Sequence, residues 1–131
     1  MAITLKAYER DDVVDAVNNL AFAINVWAHG KGFWNVPKGA TPEDDEQILR
    51  LQKVTKNALV VTELSEQVEA IRKPNTASGV EGFTNEEEEL ADAIIRALDY
   101  AGEFRMNIGE CIRRKMLVNE GRPYQHGGKK F

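Results

Sequence analysis

The chain has a single cysteine, Cys111, and only two histidines, His29 and His126. One thiol forms no internal disulfide, and one thiol with two distant imidazoles makes no zinc quartet, so neither cross-links nor structural zinc is expected to hold the fold. A reducing, cytoplasmic setting fits this cysteine usage. Long apolar runs are also missing. No stretch approaches the about 18 consecutive apolar residues that a membrane span needs, and no basic stretch followed by an apolar run opens the chain, so no membrane attachment is expected. Nor is there a basic excess: seventeen Lys and Arg stand against twenty-one Asp and Glu, a net charge of −4. Attraction to a phosphate backbone irrespective of sequence needs the opposite sign, so duplex nucleic acid is not an expected partner.

No alternating segment of strand length, no internal repeat and no low-complexity tract beyond Glu86 to Glu89 can be found. What remains is the composition of one soluble globular domain spanning 1–131, at 43% hydrophobic and 29% charged residues. Proline and glycine gather in three places, Gly30 to Pro42, Pro74 to Gly82 and Gly121 to Gly128, and the stretches between them carry helical periodicity. The expected class is all-α, a four-helix-bundle-like protomer. Helix one starts near Asp11 or Asp12 and follows Val13, Val14, Val17, Leu20, Ala21, Ile24 and Trp27 until Gly30 stops it. Helix two starts at Thr41, with Pro42 at the first helical position and Glu43, Asp44 and Asp45 in the opening turn, and ends before Pro74. Such a helix spans about 48 Å, long for this domain, so a bend or break is expected in it. Helix three follows Thr84 or Asn85 as cap and runs to Phe104, with Gly102 and Arg105-Met106-Asn107 marking its end; helix four runs from Ile108 to Glu120, with Asn107 as its cap. A basic, glycine-rich tail, 121–131, follows.

Two acid pairs sit at helical spacing, Glu63-Leu-Ser-Glu66 and Glu89-Leu-Ala-Asp92. Carboxylates three apart on a helix share one face, and each pair can hold one cation. If the two helices face each other, four carboxylates converge, and their repulsion demands counter-charge that hard divalent cations supply. All-oxygen ligation suits Mg²⁺ or Mn²⁺, whereas a di-iron site wants histidine three residues after a helical glutamate, which neither pair has. Acids so spaced are also ordinary on a solvated helix face. Periodicity does not separate the two readings: on helix three a narrow wedge of Glu88, Glu89, Asp92, Arg96, Asp99 and Glu103 lies within a nearly all-round apolar surface. Register is open as well, because Glu66 with Glu69 and Glu86 with Glu89 keep the same spacing.

On helix four, Lys115, Asn119 and Arg122 lie within about 40° of Ile108 around the axis, so they continue its apolar face. Polar groups aimed toward a core need partners, and a phosphate-bearing ligand would satisfy them; a lysine that reaches back to solvent is the alternative. In the glycine-rich loop from His29 to Asn35, Phe33 and Trp34 either stack on a base or pack the loop onto the core.

Taken in order, these residues resemble the all-α nucleoside triphosphate pyrophosphohydrolases, and among them the MazG-like proteins of bacteria and phages. The family's metal signature, E-x-x-E, a variable spacer, then E-x-x-D, is matched by Glu63/Glu66 and Glu89/Asp92 and selects the register. Gly32-Phe33-Trp34 before helix two, the stretch from Val61 to Arg72, Glu89 to Arg96, Lys115-x-x-x-Asn119-x-x-Arg122 and the Gly-Gly-Lys-Lys-Phe tail are similar as well, so the likeness covers about residues 20 to 131. The chain departs from the family in its short loop from Pro74 to Phe83 and its compact end after Arg122, which leaves the base and sugar open.

The resemblance implies hydrolysis of a nucleoside triphosphate between the α and β phosphates, giving monophosphate and pyrophosphate. It implies Mg²⁺, or Mn²⁺, on Glu63, Glu66, Glu89 and Asp92. Lys115, Asn119 and Arg122, joined by Lys129 or Lys130 of the tail, would meet the phosphates, and Trp34 or Phe33 the base. A homodimer or homotetramer is expected, because nearly all-round apolar helices need more cover than one small chain provides. The competing reading is a noncatalytic helical interaction or regulatory protein whose apolar faces serve assembly alone.

Overall fold

The computed structural model describes residues 6–36 and 45–123. A 3₁₀ turn, Ala7–Glu9, leads into α1 (Asp11–Gly30), α2 (Glu46–Arg72), α3 (Asn85–Glu103) and α4 (Ile108–Glu120). The all-α expectation holds, and no strand occurs among the described residues. The principal helix pairs are α2 with α3, α3 with α1, and α1 with α4, so α3 and α1 are the inner helices of the array.

The start of α2 differs from expectation, and the closures of α1 and α3 have local reasons. Asp45 lies before α2 rather than in its opening turn: its backbone is extended (φ −142°, ψ 110°) and its carboxylate accepts from the amides of Gln47 (2.8 Å) and Ile48 (3.2 Å), the action of an N-cap. Thr41, Pro42, Glu43 and Asp44 lie outside the described residues, as do Lys129 and Lys130. The expected break in α2 is absent; the helix runs uninterrupted for 27 residues, with neither glycine nor proline inside it, and spans about 40 Å. α1 ends at Gly30, as expected, and is closed just beyond it. The left-handed residue is Gly32 (φ 76°), and the Phe33 amide reaches back to the Ala28 carbonyl (3.1 Å) in a Schellman closure that sets the Phe33 ring edge-on to Trp27. The same closure ends α3, with Met106 bonded to Ala101 (2.9 Å), but there the left-handed residue is Arg105 (φ 51°). Gly102 stays inside the helix.

Gly102 stays because the backbone of α1 passes over it. A Cβ there would lie 2.7 Å from the Ala21 carbonyl oxygen, and one on Gly109 of α4 would collide with the Val14 carbonyl. Along α1 the buried residues Val14, Ala21 and Ala28 recur every seven residues, and Asn18 and Asn25 recur with them one turn later. Asn18 accepts from the Gly109 amide (2.8 Å) and donates to Asn107 (2.7 Å); Asn25 donates to Asp99 (2.9 Å) and Glu103 (3.0 Å). The α1 seam is therefore narrow and polar-latched rather than a broad apolar stripe.

The consequence is a core of small residues. Among the described residues the buried apolar side chains are Val14, Trp34 and five alanines, while Phe22, Val54, Val61 and Val68 are each more than half exposed. Leu20 and Trp27 of the expected α1 stripe are exposed, as are Leu90 and Ile94 of α3.

Candidate metal centre and adjoining cavity

The pairing of α2 with α3 brings the two acid motifs together. Thr84 caps α3 with a reciprocal Thr84–Glu87 box, which starts the helix so that Glu89 and Asp92 fall one turn apart on the side toward α2. Glu63, Glu89 and Asp92 each present a carboxylate oxygen, and these oxygens lie within 4.8 Å of one another. Glu63 is buried at 7% exposure, Glu89 and Asp92 are half-buried, and Glu66 is exposed at the rim, where it meets Glu89. Burial, then contact with Glu66 and the charges of Asp92 and Glu63, hold the Glu89 carboxyl above its ordinary range. Burial first and the Glu63 charge second do the same for Asp92. Partly buried carboxylates that face one another across a short gap form a donor set suited to a hard divalent cation.

One counter-charge is built in. Arg96, one turn beyond Asp92, donates from Nε to Glu63 Oε1 at 2.5 Å. Beyond this pair opens a cavity of about 370 Å³ between α2, α3 and the end of α1. Glu63, Asp92 and Arg96 line one part of it, Leu59 and Ile95 its apolar wall, and Trp27, Phe33 and Trp34 an aromatic part. Its second cation is Lys56, whose Nζ donates to the Phe33 carbonyl and sits 4.4 Å above the Trp34 ring. Burial pulls this ammonium below its ordinary range, against the attraction of Asp99.

Trp34 is buried and fixed on several sides. Its Nε1 donates to both oxygens of Asp99 (3.0 Å each), His29 stacks on it with centroids 6.1 Å apart, and Phe104 meets it edge-on at 5.8 Å. Phe33, in the same lining, is half exposed. The loop thus packs onto the core, the second of the two uses considered for it, and lines the cavity as well.

The α4 trio is not brought to this place in the protomer. Lys115, Asn119 and Arg122 are exposed, and α4 packs on α1 and the 3₁₀ turn. Their expected aim toward the core is corrected by the face that docks: buried Gly109 and half-buried Arg113, about 100° and 140° around from Ile108, form it. Arg113 donates to the Glu9 carbonyl (3.0 Å) and to Asp11 (2.8 Å), locking that orientation.

Two cavity residues escaped the sequence reading, Lys56 altogether and Asp99 in its role as Trp34's acceptor. A signal was present: Lys56 precedes Glu63 by seven residues, and Arg96 and Asp99 follow Asp92 by four and seven, spacings that keep each set on one helix face. Comparison with family models, with curated proteins and with solved structures gives no match.

Proposed function

We propose that the chain is a Mg²⁺-dependent nucleoside triphosphate pyrophosphohydrolase, with Mn²⁺ as a substitute ion, that cleaves between the α and β phosphates. The observation that carries this reading is the three-carboxylate cluster of Glu63, Glu89 and Asp92, of which Glu63 and Asp92 line a cavity whose other part is aromatic, with Arg96 and Lys56 along it. A nucleotide needs those three chemistries in that order: a cation site and positive charge for the phosphates, a flat apolar wall for the base. When bound, a divalent ion supplies neutralisation of phosphate charge and a more acidic water. Glu63, Glu89 and Asp92 would hold it, with Glu66 at the rim. A cluster carboxylate not engaged by the ion would take the proton from the attacking water. Trp34, immobilised by Asp99 and covered by Lys56 and His29, would form the back of the aromatic wall, and the half-exposed Phe33 would meet the base.

Self-association, as a homodimer or homotetramer, belongs to the same proposal. No large side chain among the described residues is fully buried, and the outer faces of α1 and α2 carry Phe22 (70% exposed) and Val54 (67%), surface of a kind that protein interfaces cover. The same exposure supports the second reading, a noncatalytic assembly protein in which Arg96 is the permanent partner of Glu63.

Incubation with a panel of ribo- and deoxyribonucleoside triphosphates, with Mg²⁺ or with EDTA, separates the two. Monophosphate and pyrophosphate are expected with Mg²⁺ only, and Glu63→Gln is expected to lower turnover by about 10³ or more with helicity and oligomer size intact. A folded protein that turns over nothing on the panel would support the assembly reading.

A further inference from the structure

Glu63 is the most deeply placed acid of the cluster, and a buried carboxylate is costly unless it is paired. Arg96 meets that need with one atom. Its Nε holds Glu63 Oε1, among the described residues this is its one hydrogen bond, and the side chain remains 40% exposed along the cavity wall. A guanidinium has five donors in a planar fork, so most of its capacity is unspent and faces the space in which polyphosphate would lie. Lys56 is differently committed, to the Phe33 carbonyl and the Trp34 ring.

Charge counting gives the arrangement a direction. Three carboxylates and one guanidinium leave two negative charges, the charge a single divalent ion cancels. With that ion on the acids, Glu63 no longer requires Arg96, and the two cations compete for the same oxygen. A bound polyphosphate then brings new negative charge within reach of the released fork.

We propose that Arg96 is a phosphate-binding residue held in reserve by Glu63: it neutralises Glu63 in the cation-free chain and passes to the polyphosphate when a divalent ion takes over the carboxylate. This rests on the nucleotide-site reading above and adds to it a coupling between the two ligands, each tightening the other, as linkage requires. The ion alone binds against Arg96, whereas the ion with polyphosphate binds with its help.

Calorimetric titration tests this on the full-length protein, first with Mg²⁺ alone and then with tripolyphosphate at saturating Mg²⁺, in the wild type, Arg96→Gln and Arg96→Lys. Arg96→Gln should bind Mg²⁺ alone at least as tightly as wild type and bind tripolyphosphate about ten- to a hundredfold more weakly, the worth of a charge-assisted hydrogen bond, with partial recovery in Arg96→Lys. Circular dichroism and oligomer size verify that the variants fold, and the lysine variant, which keeps the charge, carries the test if the glutamine variant does not. Weaker Mg²⁺ binding in Arg96→Gln, or unchanged tripolyphosphate binding, would overturn the proposal and leave Arg96 a structural partner of Glu63. A wild type that binds neither ligand would overturn the nucleotide-site reading along with it.

Discussion

The seam between α1 and its neighbours and the face between α2 and α3 solve opposite problems with the same helical geometry. Along the seam, Gly102 and Gly109 let backbone touch backbone, and Asn18 and Asn25 use their amides on groups across the contact. The cavity of about 290 Å³ that opens beside this contact, lined by Asn18, Phe22, Gly102 and Arg105 among others, has no carboxylate in its lining. Between α2 and α3, long charged side chains meet instead: Glu63, Glu89 and Asp92 converge with one arginine among them, and a cavity persists beside them. The difference teaches where to look for chemistry in an all-helical chain. Along the seam Asn18 and Asn25 pair with groups across the contact, whereas on the α2–α3 face burial and the neighbouring acids hold Glu89 and Asp92 above the ordinary carboxyl range.

The comparison breaks most readily at Gly109. Gly109→Ala drives a Cβ into the Val14 carbonyl and should cost about 2–3 kcal/mol of stability by denaturant melt, without altering the Mg²⁺ response of the α2–α3 face. If the alanine is tolerated, the seam is not close-packed as described.

Trp34→Phe sharpens the other side. It deletes the Nε1 donor that both Asp99 oxygens use and should destabilise by about 1–3 kcal/mol, while raising KM for a nucleotide more than it lowers kcat. An equal fall in kcat would place Trp34 in the chemistry rather than in binding.

A smaller effect, confined to alkaline solution, should appear at the foot of the seam. Burial, reinforced by the Glu120 carboxylate, pushes the Tyr8 phenol up to about 12. A raised folded pKa means that the native state keeps its proton longer than the unfolded chain, so this contribution is complete below about pH 10 and is lost as pH rises through about 12. Ultraviolet titration should show one tyrosine ionising late, and Tyr8→Phe should remove both that late step and the associated alkaline loss of stability.

Least of all, Arg105→Gly should stabilise the chain by about 0.5–1 kcal/mol, because it relieves a left-handed arginine at the α3 closure where Gly32 already serves at α1.

Much of this was legible in the sequence, unevenly. The helices themselves and the Thr84 and Asn107 caps follow from local signals, because cap chemistry acts within a few residues, whereas the facing of the two acid motifs, only a condition at the level of sequence, comes from the pairing of α2 with α3. Gly102 was misread because a glycine near a helix end signals a stop as readily as a close approach, and only the partner helix decides between them. The recurrence of Val14, Ala21 and Ala28 with Asn18 and Asn25 was present but hidden beneath the larger Val13, Leu20 and Trp27, whose bulk suggested a stripe that the protomer leaves exposed. At the site, spacing offered these acids alongside Glu66 with Glu69 and Glu86 with Glu89, and the resemblance selected among them. The link between Asp99 and Trp34 joins residues 65 positions apart, and no periodicity within one helix shows it. The α4 trio was misdirected because apolar residues were taken to mark the docking face, whereas a glycine and an arginine form it.

The account turns on whether the α2–α3 face takes a divalent cation, and thermal unfolding with and without Mg²⁺, in wild type and in Glu63→Gln, addresses that most directly. Binding to the native state alone raises Tm, so Mg²⁺ should raise the wild-type midpoint and leave that of Glu63→Gln unmoved. An equal response in both proteins, or none in either, would contradict it.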